Sequence, residues 1–256
     1  MNQSLIASDV SVAYDTADGR LTACTDIHLE VRAGECVTII GPSGCGKSTL
    51  LHCLGGLIAP SAGTVHQGDA LLREPDPHQA AFVFQDYSLF PWKTILDNVA
   101  IVLRFQGTSK KEARERARTQ LAFVGLGDFA DAYPAQLSGG MQQRVALARA
   151  LVMQPRTLLM DEPFGALDEQ TRRTLGRDIS QILYETGQGV VLITHSLEEA
   201  IYWADRIVIM SPRPGTIKEI ISVDAPRPRG LDFLTSDRFQ ELRVHLFDQI
   251  ENPGIK

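Results

Sequence analysis

The run Gly41-Pro42-Ser43-Gly44-Cys45-Gly46-Lys47-Ser48-Thr49 sets small residues, one lysine and three hydroxyls around the spacing G-x-x-x-x-G-K-[ST]. That spacing suits a loop that wraps phosphate. Glycines let consecutive backbone N–H groups curl around an anion with no Cβ in the way. Lys47 adds a mobile positive charge within reach of β- and γ-phosphates, and the Ser48 hydroxyl is placed to ligand Mg²⁺. The flanks supply the required context. Cys36-Val37-Thr38-Ile39-Ile40 reads as a short buried strand, and residues 48–54 read as a helix whose positive end faces the same anion. The plain alternative, a glycine-rich turn with no ligand, does not account for the lysine and serine. Cys45 lies inside the loop, where an alkylating reagent is expected to block nucleotide.

Further polar residues stand just past buried strands, where a parallel sheet opens its ligand crevice. Gln85 follows the strand Ala81-Phe82-Val83-Phe84 and could ligand Mg²⁺ or hold water. Thr157-Leu158-Leu159-Met160 ends in Asp161-Glu162. Asp161, at the tip of a strand expected to neighbour the phosphate-loop strand, suits Mg²⁺ bound through water, and Glu162 suits polarising the attacking water. The strand at 190–194 ends in His195, placed to touch a γ-phosphate or the water. Singly, each has a bland reading: a loop glutamine, an acidic turn, a structural histidine. In Leu137-Ser138-Gly139-Gly140-Met141, Ser138 is a good N-cap and two glycines open a helix running to about residue 153. A chain with one phosphate loop has little need of this second anion-ready helix start for its own nucleotide. Tyr14 could stack on a base, or be an ordinary core or surface tyrosine.

These residues need a scaffold. The 256 residues allow one large α/β domain, or one carrying an insertion. Apolar content of 44% fills a core, and a net charge of −6 argues against a general grip on nucleic acid. Apolar runs such as 190–193 are strand-sized rather than membrane-sized. Met1-Asn2-Gln3-Ser4 carries no signal-peptide pattern. Cys24, Cys36, Cys45 and Cys53 show no C-x-x-C spacing, so neither a disulfide framework nor a zinc site is expected and a reducing cytosol fits; Cys36 and Cys53 read as core. Residues 4–13, an Asp18-Gly19 turn and a strand at 27–31 predict a small antiparallel sheet ahead of the phosphate-loop strand. Residues 87–153 read as helical, with a helix at 94–105 and a capping box at Ser109 and Glu112. Behind that box Ala113, Ala117, Leu121 and Val124 keep helical spacing, and Gly125 stops the run. The aromatic segment Ser88-Leu89-Phe90-Pro91-Trp92 is a docking surface if exposed and a satellite core if buried. Asp168 leads into a helix with Leu175, Ile179, Ile182 and Leu183 on one face. Strands at 206–210 and 216–223 flank a turn at 211–215, and an amphipathic helix with Phe239, Leu242, Leu246 and Ile250 closes the chain.

Together these segments resemble the nucleotide-binding subunit of an ABC transporter over essentially the whole chain. The resemblance makes Gln85 the Q-loop and Leu137 to Met141 the signature. Asp161 becomes the Walker B acid, Glu162 the catalytic glutamate, Asp168 the D-loop acid, His195 the switch histidine and Tyr14 the base-stacking aromatic. Met141 where the commonest signature has Gln, and Ser196 where Asp often follows the histidine, are mild departures. The segments at 89–92, 161–168 and 211–215 resemble the nitrate, sulfonate and taurine importer branch. The resemblance implies an α/β P-loop NTPase core with a mostly parallel sheet, a small N-terminal antiparallel β-subdomain and an inserted α-helical subdomain. The corresponding spans are residues 1–86 with 154–225, then 87–153, and a C-terminal extension at 226–256. It implies ATP and Mg²⁺ as cofactors, with Lys47, Gln85, Glu162 and His195 acting in hydrolysis and Ser48, Gln85 and Asp161 at the metal. A second nucleotide-binding subunit, expected to be an identical chain, would be completed in trans by Ser138 to Gly140. Membrane permease subunits and an external solute-binding protein follow, at the cytoplasmic face of the membrane, with no nucleic-acid partner. An exporter ATPase, or a non-transport relative in DNA repair or chromosome maintenance, is the alternative.

Overall fold

The computed structural model describes residues 4–17 and 19–251. Asp18, half of the expected turn, and Met1-Asn2-Gln3 lie outside the described residues. The chain opens with β1 (Leu5–Thr16), β2 (Gly19–Val31), β3 (Cys36–Ile40) and α1 (Lys47–Leu54). β4 (Ala62–Gln67), β5 (Ala70–Leu71) and β6 (Ala80–Val83) follow, then α2 (Ile95–Phe105), α3 (Lys110–Phe123) and α4 (Gly139–Leu151). The second half alternates β7 (Thr157–Asp161), α5 (Glu169–Thr186), β8 (Gly189–Ile193), α6 (Leu197–Trp203) and β9 (Arg206–Met210). β10 (Ile217–Ser222), α7 (Leu231–Leu234) and α8 (Asp237–Glu251) end the described chain.

Among the described residues the larger sheet runs β10-β9-β3-β8-β7-β6, parallel throughout except for β10 on β9. β3 and β8 are buried along their whole length, as continuous apolar strands covered on both faces should be. Their side chains alternate between two cores. Val37, Ile39, Val191 and Ile193 pack with β1 and α1, while Ile40, Val190 and Leu192 pack with the helices on the other face.

The smaller antiparallel sheet runs β2-β1-β4-β5. It is larger than the sequence suggested, since β4 and β5 join it from beyond α1, and β2 begins at Gly19 rather than at residue 27. The β1–β2 register shifts three times between Ala7 and Ala13, and Asp9 and Asp26 both take φ 53°. Such bulges break the alternation that marks a strand in sequence.

Between β6 and β7 the helices α2, α3 and α4 pack together. Thr94 and Ser109 cap α2 and α3 by accepting the Asp97 and Glu112 backbone N–H groups. The 88–92 segment is neither wholly core nor wholly surface: Leu89 packs on the core while Trp92 is 70% exposed. Asn98, fully buried on α2, clasps this loop from below. Its Oδ1 accepts the Phe90 N–H at 2.7 Å, and its Nδ2 donates to the carbonyls of Phe90, Lys93 and Thr94. Among the described residues no helix is long and apolar enough to cross a membrane.

Candidate nucleotide site

The phosphate loop joins β3 to α1 as expected. Gly46 caps α1 with φ 100° and no side-chain hydrogen bond, which leaves the first-turn N–H groups for an anion. A Cβ on Gly46 would stand 2.7 Å from the Ala23 carbonyl, so only glycine lets the loop sit this close to β2. Lys47 is 5% exposed, and its Nζ donates to the carbonyls of Gly41 at 2.9 Å and Pro42 at 3.1 Å. The ammonium is thereby held along the loop.

Ser48 Oγ donates to Asp161 Oδ1 at 3.2 Å. The route to this contact differs from expectation. β7 does not neighbour β3; β8 lies between them. Helix α1 packs over β7 as well as β8, which brings its first turn to the tip of β7. Glu162, at left-handed φ 46°, donates its N–H to the Ile193 carbonyl at 3.0 Å. That turn sets its carboxylate beside the end of β8, where Glu162 Oε1 lies 2.6 Å from His195 Nε2. Just beyond, Thr194 Oγ1 donates to Glu199 Oε2 at 2.5 Å, and burial pushes the Glu199 carboxyl above its ordinary 4.5.

Tyr14, Ser43, Gly44, Gly46, Lys47, Ser48, Thr49, Glu162 and His195 line one cleft of about 300 Å³. The Tyr14 hydroxyl donates to Thr49 Oγ1 at 3.3 Å while the ring stays 37% exposed, standing at the cleft wall. One expectation fails. Cys45 is 1% exposed and its Sγ lies 3.9 Å from Lys47 Nζ, so the thiol is turned into the protein and an alkylating reagent has no path to it. Cys24, Cys36 and Cys53 are buried and free, and burial pushes the Cys36 and Cys53 thiols up to about 12.

Other expected residues lie outside the cleft lining. Gln85 is exposed, with its amide against Gly165, where a Cβ would stand 3.0 Å from Nε2. Ser138 caps α4, its Oγ accepting the Met141 N–H at 3.3 Å. A Cβ on Gly139 would come within 3.1 Å of Leu167 Cδ2, so the start of α4 packs against the residues leading into α5. Asp168 caps α5 by accepting the Thr171 N–H at 3.0 Å, and hydrogen bonds from Thr171 hold its carboxyl below the ordinary 3.8. Arg149 of α4 donates to the Tyr87 and Ser88 carbonyls at 2.8 Å and 2.6 Å, tying that helix to the chain after Gln85.

Sequence reasoning treated residues 211–215 as a turn and missed Arg213. Its Nε donates to the Gly44 carbonyl at 3.0 Å and its side chain lines the cleft. Behind it Gly215 seats the loop: a Cβ there would fall 2.0 Å from the Cys45 carbonyl oxygen. The available signal was Arg213's place just past the end of β9, the same position that marked Asp161 and His195 on their strands.

The cleft thus joins a cationic loop, an open helix N-terminus, two oxygen donors and a carboxylate–imidazole pair, the set a nucleoside triphosphate needs. The model of the ABC transporter family matches residues 24–165, more than half of the chain. The chain belongs to the ABC transporter family. It is 42% identical to the bicarbonate transport ATP-binding protein CmpD of Synechocystis over 97% of this chain and 89% of that protein. It is 43% identical to the taurine import ATP-binding protein TauB of Burkholderia thailandensis over 96% of each. Among solved structures it is similar to a dimeric post-hydrolysis state of an ATP-binding cassette bound to ADP and Pi. That similarity has a TM-score of 0.74 at 33% identity, over 87% of this chain and 100% of that one. The protein is accordingly an ABC ATPase, which binds ATP and couples its hydrolysis to transport.

Proposed function

We propose that this ABC ATPase energises import of a small anionic solute through separate membrane subunits served by an external solute-binding protein. Relatives named for bicarbonate, a small anion, and for taurine, a small zwitterion with an anionic sulfonate, support the solute class. The observation that carries the catalytic reading is the 2.6 Å contact between Glu162 and His195 at the wall of the phosphate-loop cleft. Glu162 takes a proton from the attacking water, His195 holds that carboxylate and the water in line, and Lys47 with the loop N–H groups receives the charge on the β- and γ-phosphates. Tyr14 stacks on the base, and Gly41 to Thr49 cradle the phosphates. Ser48 and Asp161 offer hard oxygens 3.2 Å apart, a donor set that fits Mg²⁺, with Gln85 as the further ligand. When bound, that ion neutralises phosphate charge.

Leu137 to Met141 and Asp168 stand outside the cleft of their own chain. In the proposed head-to-tail homodimer the start of α4 completes the γ-phosphate site of the partner. The protein then sits peripherally at the cytoplasmic face of the membrane. Residues 1–86 with 154–225 form the ATP-binding body, 87–153 the helical subdomain facing the membrane subunits, and 226–256 the extension. Export is the nearest other reading. Purifying tagged Glu162→Gln protein with ATP from native membranes tests the proposal. The variant should bind ATP, turn over far below wild type and run as a dimer in size-exclusion chromatography, with a permease and a solute-binding protein alongside. Wild-type turnover would remove Glu162 from its role, and a permease without a binding protein would favour export.

A further inference from the structure

α5, α6, α7 and α8 enclose a second cavity of about 430 Å³ that shares no lining residue with the ATP cleft. Its apolar wall includes Trp203, Leu234 and Phe239. Trp203 is only 2% exposed, and its indole Nε1–H makes no hydrogen bond among the described residues. That N–H is still reached by solvent, so it is free to donate to an occupant of the cavity. Gly176, in the interior of α5, faces this nitrogen: a Cβ there would stand 3.7 Å from Nε1. Glycine is a poor choice inside a helix. Here its missing side chain keeps the cavity open above the indole.

The charges around the cavity do not balance. Arg172, Arg173, Arg177 and Arg243 line it with Glu169, Glu198 and Glu199. Each glutamate is engaged by Arg172 or Arg173. Arg177 and Arg243 make no ion pair among the described residues, and Arg177 Nε donates only to a backbone carbonyl, that of Arg173. Two cations and one unpaired N–H therefore share a pocket with an apolar wall, the combination that recognises an acid group on a hydrocarbon body.

We propose that this cavity binds a compact organic carboxylate or sulfonate. Its apolar part lies against Trp203 and Phe239, and its acid group accepts from the indole N–H and from Arg177 and Arg243. The inference does not rest on the transport reading. α5 and α6 are capped by Asp168 and Ser196, the latter next to His195, so an occupant sits beside a helix that starts next to a residue assigned to turnover.

The chain contains two tryptophans, so Trp92→Phe leaves Trp203 as the sole indole reporter. Titrating that protein with 1-pentanesulfonate, which is transparent at the excitation wavelength, should give a saturable change in emission. Sulfate alone and 1-pentanol should each bind roughly tenfold more weakly or worse. Adding Arg177→Gln and Arg243→Gln should weaken pentanesulfonate by roughly tenfold, and Gly176→Met should abolish the response by filling the cavity. Gly176→Ala adds one methyl at ordinary contact distance and serves as the control, with its thermal midpoint confirming the fold. No saturable change, equal response to pentanol, or undiminished binding in Gly176→Met would overturn the site. Binding indifferent to the arginine pair would overturn the anion.

Discussion

At the scale of single residues, the cleft is held by contacts that substitution should expose. Lys47 bridges the loop carbonyls of Gly41 and Pro42, and in the proposed mechanism its ammonium meets the charge that builds on the phosphates. Lys47→Ala should lower ATP turnover by roughly 10²–10³-fold in a phosphate-release assay, with the far-UV spectrum unchanged. Glu199 gives a pH signature. Burial raises its folded pKa above 4.5, so between that value and the raised one the unfolded chain releases a proton that the native state keeps. Stability contributed at this site therefore falls as pH rises through that window. Glu199→Gln should flatten this part of a pH series of urea denaturation curves, and an unchanged slope would remove the assignment. The strand-tip positions of Asp161, Glu162 and His195 were legible in the sequence, because a polar residue ends each apolar run, and their roles belong to the proposed function. Cys45 was misread, since its position in the loop says nothing about the direction of its thiol.

At the scale of elements, the phosphate loop is seated from behind by the 211–216 turn. Gly215 donates to the Ala23 carbonyl at 3.0 Å and leaves no room for a side chain against Cys45. Gly215→Ala should cost about 1–3 kcal/mol by overpacking and also weaken ATP binding, both measurable by denaturation with and without nucleotide. Loss of stability alone would mean that the turn does not set the loop. The strands of the parallel sheet were readable from continuous apolar runs with a polar residue at the end. The first half of β2, and β4 and β5, were not: the bulge at Asp26 interrupts the two-residue period of β2, and β5 is only two residues long. Strand order was also beyond the sequence. Nothing local indicates that β8 separates β7 from β3, and the contact between Ser48 and Asp161 depends on how α1 lies across both strands.

At the scale of the whole molecule, the proposed composite site makes a mixing experiment decisive. Ser138→Arg should bind nucleotide normally and lose turnover, as Lys47→Ala does for a different reason. Mixed, the two inactive proteins form dimers in which one site holds both defects and the other holds neither. Turnover should reappear on mixing, and silence would argue against completion in trans. The start of α4 lies outside its own cleft, and the sequence hinted at this by supplying one anion site too many. The clasp of Asn98 on the 90–94 loop acts at the same scale. A segment already fixed by a fully buried side chain has little conformational entropy left to surrender, so the loop that carries the exposed Trp92 is shaped in advance. Whatever covers that indole can dock as one rigid body on another, with the cost of shaping the surface met during folding rather than at each encounter.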